Sequence, residues 1–313
     1  MSIALVVDSA CDLPKTFLDE RGIKLFPISI NVDGDLYTDD KDPATLLNFY
    51  QEDLLSLDHE AESIPFSSEQ MHHLIMETIV PNHDFALVQT VSQKRSQIFQ
   101  NCTDAQPDVL ASYRKLKDAG ELDTHFGMRI MNSSTLFTGQ GLLAVFTSDL
   151  IQAGKSRQDI VRLADAFKSR IYAYAIPPDV AYIRERARKR GEKSLGMLGA
   201  LVAKSLDIKP IIRANNDETA PVGKARGFDN AVEKLFEYAA ERIKKGLLTP
   251  YVIVSVAGDE SELAQYPAFD ELKRAADEEG VNLITCVMGL TSGLNLGPGA
   301  VSLALAAEEH AFE

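Results

Sequence analysis

The sequence predicts an α/β protein, with an N-terminal three-layer α/β/α domain built on a parallel sheet and a C-terminal two-layer α/β domain built on a mixed sheet. The first observation is a series of short apolar runs that alternate with helix-like segments, as buried parallel strands do. The second is the length of 313 residues, which suits two domains better than one core. The pattern changes near Gly154, and we therefore expect domains at 1–155 and 156–313.

The first 155 residues contain the alternating elements of the predicted three-layer domain. Continuous apolar runs predict strands at residues 3–7, 23–32, 85–90 and 128–131. Helical periodicity and helix-ending glycines predict helices at residues 15–21, 43–55, 69–80, 93–101 and 139–153. Asp33-Gly34 is typical of a hairpin turn, and Gly139 with Gly141 indicates a helix that packs closely on its neighbours.

The second half combines helices with a hairpin around the polar turn at residues 215–217. Strands are predicted at residues 171–176, 208–213, 220–226, 251–256 and 281–288. Helices are predicted at residues 156–170, 178–190, 195–206, 229–245 and 261–279. The last apolar run, residues 301–307, follows a Gly-rich loop (residues 293–300, GLNLGPGA) and is predicted to be a helix.

Charge and composition exclude several classes of protein. The formal net charge is −14 and the sequence pI about 4.9, which argues against binding to a nucleic-acid backbone. The three cysteines show neither metal spacing nor a disulfide pattern, as is usual in a reducing compartment. Neither a long apolar run nor an export signal is visible. We expect a cytoplasmic protein without stable membrane insertion and without a metal or cofactor.

Motifs for nucleotide-dependent or serine-hydrolase catalysis are absent. The sequence lacks G-x-x-x-x-G-K-[ST], a strand-linked G-x-G-x-x-G and G-x-S-x-G. Asp8 and Asp12, in the turn after the first strand, leave one catalytic alternative open. This would be an enzyme acting on a small carboxylated or phosphorylated substrate, with these carboxylates as base or metal ligands.

Hydroxyl groups cluster where a parallel sheet would bind a ligand. Ligands of such sheets lie beyond the carboxyl ends of the strands. Four serines fall on the strand-to-helix loops there, namely Ser67, Ser68, Ser92 and Ser96. Each alone is better explained as a helix cap, but together they can donate hydrogen bonds to a small anion. Gly297 and Gly299 would let the backbone of the last loop approach the same group.

Several motifs, in order along essentially the whole chain, resemble the DegV family. They are VVDSACDLP, DGDLYTDD, IPFSSEQM, TVSQKRSQIF, IMNSSTLFTGQGLL, LDIKPII, GKARG and NLGPGAVSLA. The resemblance implies that a fatty acid binds in a tunnel between an α/β/α domain and a smaller α/β domain. It also implies presentation of the acyl chain to a fatty acid kinase, and a binding protein with no catalytic centre of its own.

The resemblance also implies roles for particular residues. Head-group binding falls on Ser67, Ser68, Ser92, Ser96, Asn295, Gly297 and Gly299, and a position near a partner or the tunnel mouth falls on Lys224 and Arg226. This chain departs from the family pattern in four places, the first being Ser67 in place of a threonine, which keeps the hydroxyl. Gln97-Ile98 replace Gly-Thr, Asn295 replaces a histidine, and the family arginine is missing, with Lys193 nearby. Asn295 can hydrogen-bond a carboxylate but cannot become cationic.

A third hypothesis is a regulatory subunit that only contacts partners because its tunnel has closed. Large side chains between the two domains would favour it. The enzyme needs a polar pocket, and a cavity lined by leucine, isoleucine, valine, methionine and phenylalanine would argue against it.

Overall fold

The computed structural model describes residues 2–122, 125–189 and 207–312. The strands in these ranges are β1 (Ile3–Asp8), β2 (Lys24–Phe26), β3 (Ser29–Val32), β4 (Asp35–Thr38), β5 (Ala61–Ile64), β6 (Phe85–Thr90), β7 (Gly127–Asn132), β8 (Ile171–Ile176), β9 (Ile208–Asn215), β10 (Glu218–Arg226), β11 (Tyr251–Val256), β12 (Asn282–Val287) and β13 (Val301–Ala306). The α-helices are α1 (Lys15–Glu20), α2 (Pro43–Gln51), α3 (Ser68–Thr78), α4 (Ile98–Asp118), α5 (Thr138–Gln152), α6 (Arg157–Phe167), α7 (Val180–Lys189), α8 (Phe228–Lys244), α9 (Pro267–Glu279) and α10 (Leu290–Leu296).

Two sheets carry most of the chain and confirm the predicted fold class. The first is parallel, with strand order β2-β1-β6-β7. The second is mixed, with order β10-β9-β8-β13-β11-β12, in which only the β11–β12 pair is parallel. The boundary at residue 155 stays a prediction. It falls between the end of α5 and the start of α6.

Helix α5 lies between the two sheets. Its buried apolar residues share one core cluster with β1, β8, β11 and β13. A Cβ atom at Gly139 would lie 2.9 Å from the Cβ of Ala173, and one at Gly141 would lie 2.6 Å from the main-chain oxygen of Asp12. The two glycines therefore set how closely the helix approaches both halves, as the sequence predicted.

A third, antiparallel sheet with order β4-β3-β5 was only partly predicted. The hairpin turn at Asp33-Gly34 joins β3 to β4, and both residues have positive φ (53° and 101°). Strand β5 was missed because its sequence, AESI, is short and half polar. It pairs with β3, which lies about 30 residues earlier in the chain. A local sequence pattern does not predict a pairing over that distance.

The predicted helix at residues 301–307 is wrong, because this run forms strand β13 in the middle of the mixed sheet. All six strand residues are buried, so both faces are apolar and period-2 alternation is lost. A short apolar run of this kind cannot be assigned by periodicity alone. The helix predicted at 93–101 begins only at Ile98, and the one predicted at 195–206 lies outside the described residues.

Candidate functional site

A cavity of about 460 Å³ lies between the carboxyl end of the parallel sheet and one face of the mixed sheet. This volume is in the range of ligand-binding pockets, about 300–1,000 Å³. Apolar side chains from both halves, all aliphatic except one phenylalanine, form most of its wall: Ala10, Ile28, Val91, Leu136, Phe137, Ala173, Ala175, Ile183, Ile212, Ala214 and Leu296. The wall suits an apolar ligand.

Strand register explains why the wall on the mixed sheet leaves space. Ala173 pairs with Ala214 and Ala175 pairs with Ile212 across β8 and β9. Because side chains alternate between the faces of a strand, Tyr172 and Tyr174 point to the opposite face and join the core beneath α8. The tyrosine rings therefore fill the helix-covered side, and Ala173, Ala175 and Ala214 face the cavity, which Tyr174 also borders.

Polar side chains are gathered along the rest of the cavity wall. Hydroxyls come from Ser63, Ser96, Thr219, Thr291 and Ser302, and the amide comes from Asn295. The segment at residues 93–97 adds Gln93, Lys94 and Arg95, and Lys94 is exposed to solvent. The arrangement offers an apolar compartment, neutral hydrogen-bonding groups and a cationic entrance, which together match an amphiphilic anion.

Helix α10 contributes two of these polar side chains from adjacent turns. Asn295 donates from Nδ2 to the main-chain oxygen of Thr291, at 2.6 Å. The main-chain N–H of Thr291 donates to Oδ2 of Asp39, at 3.0 Å. Ser96 lies just before α4, where its Oγ accepts from the N–H of Ile98 at 3.3 Å. The positions of these side chains are thus fixed by main-chain contacts.

The structure brings Ser96 and Asn295 to the cavity and places Ser67 and Ser68 elsewhere. Ser67 caps α3. Its Oγ accepts from the N–H of Gln70 at 3.1 Å, and the N–H of Ser67 donates to Oε1 of Gln70 at 2.8 Å. Ser68 is the first residue of that helix. Within the described part of the chain, Ser63 is the residue of this loop region whose hydroxyl lines the cavity.

Ser92 is buried, and its side chain contacts a residue of the other half. Its Oγ donates to Oδ1 of Asp217 at 2.5 Å, while Nδ2 of Asn132 donates to Oδ2 of the same carboxylate at 2.8 Å. The N–H of Asp217 donates to the main-chain oxygen of Ser134, at 2.7 Å. These contacts hold the turn between β9 and β10 against the carboxyl end of the parallel sheet. We call this group the Asp217 clamp.

The first half of the predicted Gly-rich loop belongs to α10, and residues 297–300 follow that helix and pack against the segment around α7. Gly297 has φ +95°, and a Cβ there would lie 3.1 Å from the ring of Tyr182. Gly299 has φ +77°, and its N–H donates to the main-chain oxygen of Ala257 at 2.8 Å. Both positions require glycine-like backbone. Lys224 and Arg226 are exposed on β10, the edge strand of the mixed sheet.

Asp8 and Asp12 are fully buried and make structural contacts. Asp8 accepts from the N–H groups of Ala10 (3.0 Å) and Val91 (2.8 Å). Burial raises the pKa of Asp8 to about 6, although both N–H groups oppose the shift. Asp12 contacts Lys41 at 3.3 Å and accepts from the hydroxyls of Ser255 and Ser292, each at 2.9 Å. Neither carboxylate lines the cavity.

Two further properties concern only the described residues. In these ranges no group of three histidine, cysteine, aspartate or glutamate side chains is arranged to hold a metal ion. None of the helices found there has the length and apolar character needed to cross a bilayer.

Thr291 and Ser63 are among the polar cavity residues that the sequence did not indicate, as are Thr219 and Ser302. Thr291 precedes Asn295 by four residues, a spacing that places two side chains on one helix face. This signal required a helix at residues 290–296, of which residues 293–296 were predicted to belong to a loop. Ser63 was hidden in β5, the strand that was missed.

Comparison with known proteins identifies the family. A family model described as "Uncharacterised protein, DegV family" matches residues 2–308. The chain belongs to the DegV family. A DegV domain-containing protein of Xanthomonas axonopodis pv. citri is 38% identical over 312 residues, which cover 100% of this chain and 99% of the relative.

Solved structures, one of them of a DegV protein, share the fold. DegV of Bacillus subtilis, described as a fatty acid binding protein, superposes with a TM-score of 0.77 at 21% identity, covering 98% of this chain and 100% of that one. A stearic acid-binding protein of Eubacterium ventriosum gives a TM-score of 0.75 at 20% identity, covering 98% of both chains. This DegV protein therefore has the two-sheet architecture of those structures.

Proposed function

We propose that this DegV protein binds a long-chain fatty acid, or a similar amphiphile, in the 460 Å³ cavity between its two main sheets. The observation that carries the proposal is the division of one cavity into an aliphatic wall and a group of neutral hydrogen-bonding side chains. Burial of an alkyl chain contributes about 0.8 kcal/mol per CH₂. A long tail therefore supplies most of the affinity, and the polar group orients the head.

Ser96 and Asn295 would bind the head group, since both line the cavity. The solved structures described as binding fatty acids support the same ligand class here. Head-group contacts by Ser67, Ser68, Ser92, Gly297 and Gly299 stay predictions. Of these, the Ser92 hydroxyl already contacts Asp217.

Presentation of the acyl chain to a fatty acid kinase, in the cytoplasm and without catalysis by this chain, completes the proposal. Lys224 and Arg226 are exposed and free to face an acidic partner surface. The contacts of Asp8 and Asp12 support a role in holding the fold rather than in chemistry.

Mass spectrometry tests the ligand directly. Protein purified from cells and denatured should release about one acyl chain per molecule, and delipidated protein should take up palmitate. Absence of a released lipid, together with failure to bind palmitate or stearate, would overturn the proposal.

Filling the cavity with a larger side chain tests whether the acyl chain binds there. Ala214→Leu adds a side chain at the wall and should shift the preferred acyl chain to a shorter length. Ala111→Leu makes the same change on the exposed surface of α4 and should leave the preference unchanged. An identical preference in both variants would place the acyl chain elsewhere.

A further inference from the structure

We infer that the hydroxyl of Thr291 is a ligand of the head group, an inference that rests on the proposed function. Thr291 lines the cavity and is 7% exposed. Its Oγ1 is buried and has no hydrogen-bond partner among the described residues. A buried hydroxyl without a partner carries a desolvation cost, which an oxygen acceptor on a ligand removes.

The backbone of Thr291 is held on both sides, so its hydroxyl is placed before a ligand arrives. Its N–H donates to Oδ2 of Asp39 at 3.0 Å, and its main-chain oxygen accepts from Nδ2 of Asn295 at 2.6 Å. Asp39 is itself completely buried and lies 3.6 Å from Lys41. Anchoring of this kind reduces the ordering cost of binding.

Thr291 and Asn295 present their side chains together. They are four residues apart in α10, so they share one face of the helix, and both line the cavity. The Asn295 amide uses one N–H on the main-chain oxygen of Thr291, and the threonine hydroxyl adds a donor on this face that has no partner among the described residues. The chemistry recognised is an oxygen acceptor at the end of an apolar chain, as in a carboxylate.

The alanine and serine variants isolate the hydroxyl. Thr291→Ala and Thr291→Ser both lose the methyl group and differ by a single oxygen. We expect delipidated T291S to bind palmitate within about threefold of the wild-type Kd, and T291A to bind about 10-fold more weakly or worse, since a hydrogen bond to a charged group is lost. Isothermal titration of each folded protein gives the Kd values.

Thr90 supplies the matched control. Its Oγ1 is also buried without a partner among the described residues, and Thr90 is not part of the cavity wall. Thr90→Ala and Thr90→Ser should bind palmitate with equal Kd. Thr291→Val keeps the side-chain shape and replaces T291A in the comparison if T291A does not fold.

The outcomes separate this inference from the function on which it rests. Tight binding by the wild-type protein with equal Kd for T291A and T291S overturns the role of Thr291 and leaves the proposed function intact. The same follows if the Thr90 pair differs as much as the Thr291 pair. Failure of the wild-type protein to bind any fatty acid overturns both.

Discussion

The ammonium nitrogen of Lys41 lies 3.3 Å from Oδ1 of Asp12, and neither side chain exposes more than 1% of its surface. Oδ1 of Asp39 lies 3.6 Å from the same nitrogen. Burial alone lowers the pKa of Lys41, but the two carboxylates raise it above its ordinary value, so the ammonium is charged at neutral pH. This group joins the β1 loop, the segment before α2 and the start of α10.

Replacing Lys41 by methionine should strongly destabilise the protein. Lys41→Met leaves the carboxylates of Asp12 and Asp39 buried without their cation, and removal of one partner from a buried ion pair costs about 3–5 kcal/mol. Urea denaturation gives the change in free energy of unfolding. Lys15→Met breaks an exposed pair with Asp19 and should leave the free energy of unfolding close to the wild-type value. Equal losses in the two variants would refute the structural role of Lys41.

Gly289 is required because Lys41 occupies the space beside it. Its φ of −63° suits any residue, but a Cβ there would lie 1.7 Å from Nζ of Lys41. Gly289→Ala should therefore lower the free energy of unfolding by about 1–3 kcal/mol, as overpacking does.

The same substitution should cost clearly less in a Lys41→Ala background, where Oδ2 of Asp39, 3.2 Å from the added Cβ, is the remaining close contact. A double-mutant cycle measures this coupling. Gly258→Ala is the control, because a Cβ there meets the flexible carboxylate of Glu262 at 3.2 Å. Additive effects of G289A and K41A would show that the two residues do not compete for space.

The local sequence pattern predicted the elements that begin and end at a change from apolar to polar or glycine-containing residues. The strands at residues 85–90, 171–176 and 251–256 have the predicted bounds, because each is a short apolar run between polar or glycine-containing segments. Strand β13 was predicted as a helix because its identity depends on the antiparallel neighbours β8 and β11. Those strands are distant in sequence, so tertiary pairing, and not the local sequence, decides that residues 301–306 form a strand.

The site was predictable only where a motif carried it. Ser96 was indicated by its place on a strand-to-helix loop and by the family resemblance, Asn295 by the resemblance alone, and both line the cavity. Thr291 was not predicted, because what singles it out is a buried hydroxyl without a hydrogen-bond partner. Only the three-dimensional structure shows this. The contact between Ser92 and Asp217 joins residues 125 positions apart and was equally invisible to a reading of spacing.

Breaking the Asp217 clamp should loosen the β9–β10 hairpin. Asp217→Ala removes the acceptor of Ser92 and Asn132, which are 2% and 8% exposed, and leaves both groups without that partner. We expect a loss of about 1–3 kcal/mol in unfolding free energy. Amide hydrogen exchange should be faster in peptides covering residues 208–226.

Glu218→Ala is the control for this prediction, because Glu218 is the exposed neighbour at the start of β10. It should leave both the exchange rates and the stability unchanged. Equal exchange in D217A and the wild-type protein would mean that the carboxylate does not hold the turn.

The buried carboxyl of Asp8 should give the stability a characteristic pH dependence. Its pKa is about 6 in the folded protein against an ordinary value of 3.8, because burial outweighs the N–H groups of Val91 and Ala10. As pH rises, the Asp8 carboxyl of the folded state therefore keeps its proton to a higher pH than that of the unfolded chain. The free energy of unfolding should fall as pH rises through this interval and level off above it.

A shift of this size corresponds to about 3 kcal/mol of stability lost across the interval. Asp8→Asn has no proton to lose, so the difference in unfolding free energy between the wild-type protein and D8N should change by that amount between acidic and neutral pH. Asp108→Asn, on the exposed surface of α4, should run parallel to the wild type throughout. Parallel curves for the wild-type protein and D8N would show that Asp8 titrates alike in the folded and unfolded chains, and that its two N–H contacts offset its burial completely.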